Sequence, residues 1–498
     1  MTAHDLLADA FLSWRTPDRT RYRSTLPGVL AAMSSGRVGD FCRVRPHQFE
    51  PWSMFLTQLA AIAMHRAGCA TPPTSEPEWL AMLLPLTEDQ REPWCLVVED
   101  LAKPAFFQPP VPDGGVQSWS RCEHPDDVDV LVTSKAHDVK TSQIPPDDVE
   151  MWVYALCALQ TAQGYPGRGY NGVARMNGGY GNRPRVGYAP DLAVSTRFSR
   201  DVSALLEDWA SQLARGYSDS GAGLLWVVPW DGQSSLMAEQ LSPHFIEVCW
   251  RIRLVPAAMS LAARYTTTRT RRSLGHLSNG DVGDAWIPVE RATGNALTVG
   301  PRGFHYRLVA RLLLQNEFEP GVALRLRAAD GDPIMFLASA MARGQGKTEG
   351  LHQRSLVLSG SVRRLLGRPD GRETLGRRAQ SQVQRADDIG KKVLYPALKT
   401  LVGNGTLPSV PLDERVDALF FGCLMRDLDQ SDERARINFD QRLVEVARQV
   451  LESAAAAIPV SDVRRLRRLT ESEVVFWGHV QREFADALDA RPVEEGVE

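Results

Sequence analysis

The sequence predicts an α+β fold, with a large mixed N-terminal domain over residues 1–360 followed by a C-terminal four-helix bundle over 361–498. Three observations carry this reading. The 498 residues are enough for more than one core and favour two domains. Short strand-like and helix-like stretches, broken by Pro and Gly, alternate irregularly as far as residue 360. Beyond that point the chain becomes a series of amphipathic helices.

Taken in order, "PWSMFLTQLAAIAMHRAG" and "EPEWLAMLLPLTEDQREPWCLVVED" carry helical spacing, and "SMFLTQLAAIAMHRA" is apolar all round, as a buried helix is. A loop section from "KPAFFQPPVPDGG" to "TSKAHDVKTSQIPP" precedes the helix "DDVEMWVYALCALQTAQ", whose leading acids suit a helix N-terminus. Residues 164–188, "GYPGRGYNGVARMNGGYGNRPRVGY", hold eight glycines in no helical or strand period. Strand-like runs follow in "GLLWVVPW", "HFIEVCWRIRLV" and "ALRLRAADGDPIMFLAS". The expected bundle consists of "RETLGRRAQSQVQRADDIGKKVLYPALKTLV", "LDERVDALFFGCLMRDL", "DERARINFDQRLVEVARQVLESAAAA" and "TESEVVFWGHVQREFADALDA". Its breaks are "GNGTLPSVP", "DQSD" with Ser431 as N-cap, and "IPVSDVRRLRRLTES".

Composition narrows the function. A formal net charge of −3 excludes a polycation that coats nucleic acid with its whole surface, so such contact must come from local basic patches. The seven cysteines are scattered without a C-x-x-C pair or zinc spacing, which predicts reduced thiols and no metal. Apolar runs such as "ALFFGCLM" are too short to span a bilayer, and the N-terminus lacks a signal-like apolar core, so the expectation is a soluble, cytoplasmic protein with no membrane partner.

Two stretches invite an enzymatic reading. "AMARGQGKTEG", residues 340–350, ends in Gly346-Lys347-Thr348 as a P-loop does. A P-loop needs a second glycine five positions before the GK pair so that its backbone N–H groups can curl around phosphates, and Met341 stands there. The alternative is a Gly-rich turn that presents Gln345 and Lys347 for another purpose. "AHDVK" contains His137-Asp138, the dipeptide of HD-type metal phosphohydrolases. The ten histidines, however, include no H-x-H or H-x-x-x-H pair that would complete a two-metal centre. No G-x-S-x-G or recognisable nucleophilic cysteine is present.

Contact with nucleic acid is better supported. In the Gly-rich segment the missing side chains let backbone approach a partner closely. Arg168, Arg175, Arg183 and Arg185 can supply phosphate-pairing forks, and Tyr165, Tyr170 and Tyr180 stacking faces. The bland alternative is a surface loop whose glycines only permit turns. A second run, "RYTTTRTRRSLGH", offers Arg264, Arg269, Arg271 and Arg272 with three threonines as phosphate partners, against the alternative of a solvated strand pair. "VRRLRR" at 463–468 reads as a solvated or protein-contacting link in the bundle.

In the order of its parts the chain resembles CasA, the large subunit of the type I-E CRISPR surveillance complex, Cascade. The resemblance covers most of the chain and rests on "STLPGVLAAM", "LLPLTEDQREPW" followed by "PAFFQP", "GYPGRGYNGVARMNGG", "HFIEVCW", "ARGQGKTEG" and the terminal bundle. It implies a subunit without catalysis or cofactors that reads the PAM of double-stranded target DNA while the guide CRISPR RNA reads the rest. The Gly-rich loop would touch the PAM minor groove through Gly164, Tyr165, Gly167, Arg168, Gly169 and Asn171, chiefly Gly164 and Gly167. A basic finger would be Arg269, Arg271 or Arg272. Gln345, between Gly344 and Gly346, would be the wedge that enters the base stack, with Lys347 on a phosphate of the displaced strand. Lys135, His137 and Lys140 would dock the RNA 5′ handle, although the aromatic usual at that loop's tip is missing. Further implied partners are the backbone, small and handle-binding Cascade subunits and a helicase-nuclease recruited after R-loop formation.

Overall fold

The computed structural model describes residues 4–112, 114–128, 148–167, 169–177, 181–257, 261–274, 279–344, 347–403, 405–407 and 409–489. The chain forms two units, one of Met1–Phe304 with Phe318–Leu358, the other of His305–Glu317 with Ser359–Glu498.

In the first unit the chain order is β1 (Leu12–Arg15), β2 (Arg21–Ser24), α1 (Leu26–Ser34), β3 (Asp40–Phe41), α2 (Pro46–Arg66), α3 (Glu76–Leu83), β4 (Ser120–Cys122), α4 (Val149–Ala162), β5 (Arg185–Ala189) and α5 (Val194–Ala214). There follow β6 (Ala222–Leu224), β7 (Leu241–Ile246), β8 (Arg251–Pro256), β9 (Leu261–Thr266), β10 (Val289–Glu290), β11 (Phe318–Glu319), β12 (Ile334–Gly344) and β13 (Lys347–Leu358). Among the described residues three antiparallel sheets have the orders β2-β1-β3, β13-β12-β5 and β4-β9-β8, and β6-β7 and β10-β11 form two further pairs.

The all-round apolar helix is the axis of this unit. Trp52, Phe55, Leu59, Ile62 and Met64 of α2 are all fully buried, against α4, α5 and β7. It begins at Pro46, ahead of the expected start at Pro51, because Pro46 occupies the first helical position where a missing N–H is harmless. The Arg45 N–H donates to Gln48 Oε1 at 3.2 Å and closes that end. Pro51 lies inside the helix at the cost of one helical hydrogen bond.

Two expected elements are shorter than their apolar runs suggest. "GLLWVVPW" is strand only over Ala222–Leu224, and Leu225–Val227 turn as a 3₁₀ helix that packs Trp226 against Phe107, ring centroids 4.8 Å apart. The helix opened by "EPEW" stops at Leu83, and a 3₁₀ turn over Leu84–Thr87 ends at Glu88 and Asp89, both left-handed with φ of 53° and 60°.

The second unit contains α6 (Tyr306–Leu313), α7 (Gly360–Leu366) and α8 (Pro369–Asp388), which runs through a π-helical stretch, Ile389–Leu394, into α9 (Tyr395–Val402). Then come α10 (Leu412–Arg426), α11 (Asp432–Ala457), α12 (Asp462–Glu483) and the short α13 (Ala485–Asp489). Among the described residues α8–α9, α10, α11 and α12 are the four long rods, and Ile389, Leu401, Phe420, Phe439, Leu443, Phe476 and Val480 are buried on their inner faces. Ser431 caps α11 as expected, its hydroxyl accepting the Arg434 N–H at 3.2 Å. "VRRLRR" is no link: it lies in the first turns of α12, which starts just after Ser461.

Among the described residues no helix is long and apolar enough to cross a membrane. All seven cysteines are free thiols, and burial pushes Cys95 and Cys122 up to about 12, which keeps them protonated and unreactive.

Candidate nucleic-acid interface

Where α4 ends, the Gly-rich segment folds back on itself. Val173 N–H donates to the Gln163 carbonyl at 2.9 Å. Gly172, with φ of +65°, lies so close to its counterpart that a Cβ there would stand 2.4 Å from the carbonyl carbon of Gly164. Gly164 is therefore buried inside the lobe, its N–H on Asn182 Oδ1 at 3.4 Å, and is not presented to a groove as expected. The outer end of the lobe is at Gly167, where φ is +152°, the carbonyl accepts the Tyr170 N–H at 3.1 Å, and a Cβ would meet nothing within 4 Å. Tyr165 is half-buried. Tyr170 stacks on Trp250, centroids 4.3 Å apart and planes 24° from parallel, so this ring braces the lobe from within the chain.

The basic run meets this lobe. Beyond β9, Thr268 N–H donates to the Gly169 carbonyl at 2.8 Å, and the Asn171 amide donates to Thr268 Oγ1 at 3.0 Å and its carbonyl at 3.3 Å. A Cβ on Gly169 would sit 2.7 Å from Thr267 Cγ2, so glycine is what allows the approach. Gly169, Asn171 and Thr268 thus join the two segments rather than reach outward.

Arg269 stands exposed beside this joint, its N–H on the Gly232 carbonyl at 2.7 Å and its guanidinium 3.4 Å from Gln233 Oε1. Arg271 is half-buried, and its carbonyl accepts from Ser235 Oγ at 2.6 Å. Arg272 is different. It is buried, donates to the Val228 and Pro229 carbonyls at 3.1 Å each, and lies over the Trp230 ring at 5.7 Å. Burial lowers its pKa to about 10, and the residue is a core strut, not a finger.

Three arginines expected as phosphate forks are likewise internal. Arg175 pairs with Glu247 at 2.9 Å and Asp284 at 2.7 Å, and Arg183 pairs with Asp284 at 2.6 Å. Arg185 pairs with Asp201 at 2.9 Å. All three side chains are about 3% exposed or less, because in a Gly-rich segment folded against the core the arginines supply the polar fill that glycine cannot.

The third candidate segment is the tip of a long hairpin. β12 and β13 pair antiparallel from Ile334↔Leu358 to Gly344↔Lys347, with a register shift after Ala342 that puts a bulge at Glu349. Gly344 is half-buried at the end of β12, and the backbone of Lys347 begins β13. Gln345 and Gly346 lie outside the described residues, as do Arg168, Tyr180 and the handle-docking candidates Lys135, His137 and Lys140, with Asp138. Among the described residues no group of three or more His, Cys, Asp or Glu is placed to hold a metal ion.

The fold and not the sequence relates this chain to known proteins: no family model matches it, and no curated protein matches it significantly. Thermus thermophilus CasA (Cse1) superposes with a TM-score of 0.65 at 13% identity, covering 97% of this chain and 100% of that one. The chain has the Cse1 fold. Cse1 from Acidimicrobium ferrooxidans gives the same TM-score at 14% identity, over 99% of this chain and 100% of its own. A chain of a CRISPR RNA-guided surveillance complex gives 0.59 at 13% identity, over 96% and 100%.

Within the Cse1 fold the P-loop reading of Gly346-Lys347-Thr348 fails. A P-loop runs from strand into helix so that the helix N-terminus faces the phosphates, whereas Lys347 opens β13 of an antiparallel pair. Residues that sequence reasoning passed over are Gln233, which steadies Arg269, and Glu247. Glu247 left one signal: it is the only acid in the apolar run "HFIEVCW", and a carboxylate in such a run must be buried with partners.

Proposed function

We propose that this chain is the non-catalytic large subunit of a type I-E RNA-guided CRISPR effector complex. It recognises the PAM in double-stranded target DNA, promotes local opening and R-loop formation, and helps recruit a helicase-nuclease. The observation that carries the reading is the joint between Gly169 and Thr268, which ties the segment with an open glycine backbone at Gly167 to the one that carries exposed Arg269, on a chain with the Cse1 fold. Backbone at Gly167 can approach a minor groove without a Cβ in the way, and Arg269, with half-buried Arg271, supplies positive charge for phosphates or a narrowed groove.

The hairpin tip completes the assignment. Gln345, carried between the ends of β12 and β13, acts as the wedge between base pairs, and Lys347 holds a phosphate of the displaced strand. Unstacking costs a few kcal/mol per step, which protein contacts and guide pairing can supply without ATP. Lys135, His137 and Lys140 dock the guide RNA handle, and the backbone, small and handle-binding subunits complete a cytoplasmic complex.

The test is binding of PAM-bearing and scrambled duplexes by the guide complex carrying Gly167→Val. The reading expects the preference for the PAM duplex to collapse while the complex still assembles. An unchanged preference would remove Gly167 from the interface.

A further inference from the structure

Glu247 follows directly on β7 and is buried, its side chain 1% exposed. Its Oε1 accepts the Ala174 N–H at 2.7 Å and the Ser273 hydroxyl at 2.8 Å, and its Oε2 accepts Arg175 Nη1 at 2.9 Å. Ala174 and Arg175 close the glycine-rich lobe, and Ser273 follows the turn that carries Arg269 and Arg271. One carboxylate therefore receives both segments at their inner ends, as Gly169 and Thr268 join them at the outer end. The three donors need both oxygens and the full charge. A glutamine of the same shape offers one acceptor oxygen, and its amide NH₂ would face either the guanidinium or the Ala174 and Ser273 donors.

We propose that Glu247 is the positioning residue that locks the glycine-rich lobe and the basic turn into one rigid reading surface. This rests on the reading of that surface as the PAM interface. Neither segment has a large core of its own: the lobe over 164–174 carries four glycines and buries Val173 and Ala174, and the turn buries Thr268, Arg272, Ser273 and Leu274. Their mutual geometry therefore depends on shared partners, and Glu247 is one that receives both through its carboxylate.

The experiment uses the full chain in its guide complex, with Glu247→Gln and Ser273→Ala as variants and two readouts. Amide hydrogen exchange of the chain reports local opening, and the ratio of PAM to scrambled duplex binding reports reading. With Glu247→Gln, exchange should rise together in residues 164–174 and 266–274 but not in β12 or β13, and the PAM ratio should fall about tenfold with scrambled-duplex binding retained, a coupling of ordinary size. Ser273→Ala, which leaves the Arg175 pair in place and covers the case in which Glu247→Gln does not fold, should loosen 266–274 alone and lower the ratio several-fold. Unchanged exchange in both segments, or a PAM ratio equal to the parent's in both variants, would overturn the proposal while leaving the DNA reading intact. If the parent complex shows no PAM preference, the DNA reading falls, and coupled or uncoupled exchange still decides whether Glu247 locks the two segments.

Discussion

Arg269 and Arg272 stand three positions apart in opposite environments, one exposed beside the Gly169 joint and one bound to the Val228 and Pro229 carbonyls beneath it. Their alanine variants should separate cleanly. Arg272→Ala removes a buried side chain and its hydrogen bonds to the Val228 and Pro229 carbonyls, and stability should drop by about 1–3 kcal/mol in urea denaturation. Arg269→Ala should leave stability within about 0.5 kcal/mol and weaken PAM and scrambled duplexes alike, with the slope of log affinity against log salt reduced by about 1. Gly167 and Gly172 form a second such pair. Alanine at Gly172 would press on the Gly164 backbone and should lower the melting temperature measurably, whereas at Gly167 it adds backbone strain without a clash. His244 sets a pH dependence. Burial lowers its pKa from 6.5 to about 4 while Nε2–H donates to the Leu205 carbonyl at 3.0 Å. The unfolded chain takes up a proton below 6.5 that the folded chain refuses until about 4, so His244 makes stability fall as pH drops through that window. Urea midpoints at several pH values should show a shallower decline in His244→Gln, and an identical decline would contradict the assignment.

At the scale of elements, the β12–β13 hairpin removes the nucleotide-binding chemistry for one tripeptide. A strand pair closing at Gly344↔Lys347 offers no helix N-terminus to a nucleotide, and the wedge reading places Gln345 between its two strands in sequence. Gln345→Ala should therefore leave PAM-duplex binding near the parent level and reduce R-loop yield several-fold; equal yields would end the wedge role. The same hairpin marks what periodicity can and cannot reveal. The long rods of the second unit were legible because their apolar spacing repeats over many turns, and α2 was legible because it is apolar on every side. The start of α12 carries a start signal in Ser461-Asp462, but the arginine run that follows breaks the apolar spacing by which a helix is recognised. "GLLWVVPW" misled for a different reason: its apolar run is buried whether it is strand or turn, and periodicity cannot tell the two apart.

For the whole molecule, the α+β class follows from the sequence, but the candidate site does not. Asn171 and Thr268 are 97 residues apart, and no local pattern relates them; only the fold brings the glycine lobe to the basic turn. For the same reason Arg175, Arg183 and Arg185, which look like ready phosphate forks in sequence, are consumed by Glu247, Asp284 and Asp201 in the core. A fold shared at 13% identity rests on apolar pattern and core volume more than on particular residues. The most direct test of the central claim is duplex binding by the guide-RNA complex assembled with and without this chain, against a library of randomised flanking sequences and without ATP. The account predicts that the chain confers selection of a short flanking sequence. Identical profiles with and without it, or a complex that excludes it, would contradict the account.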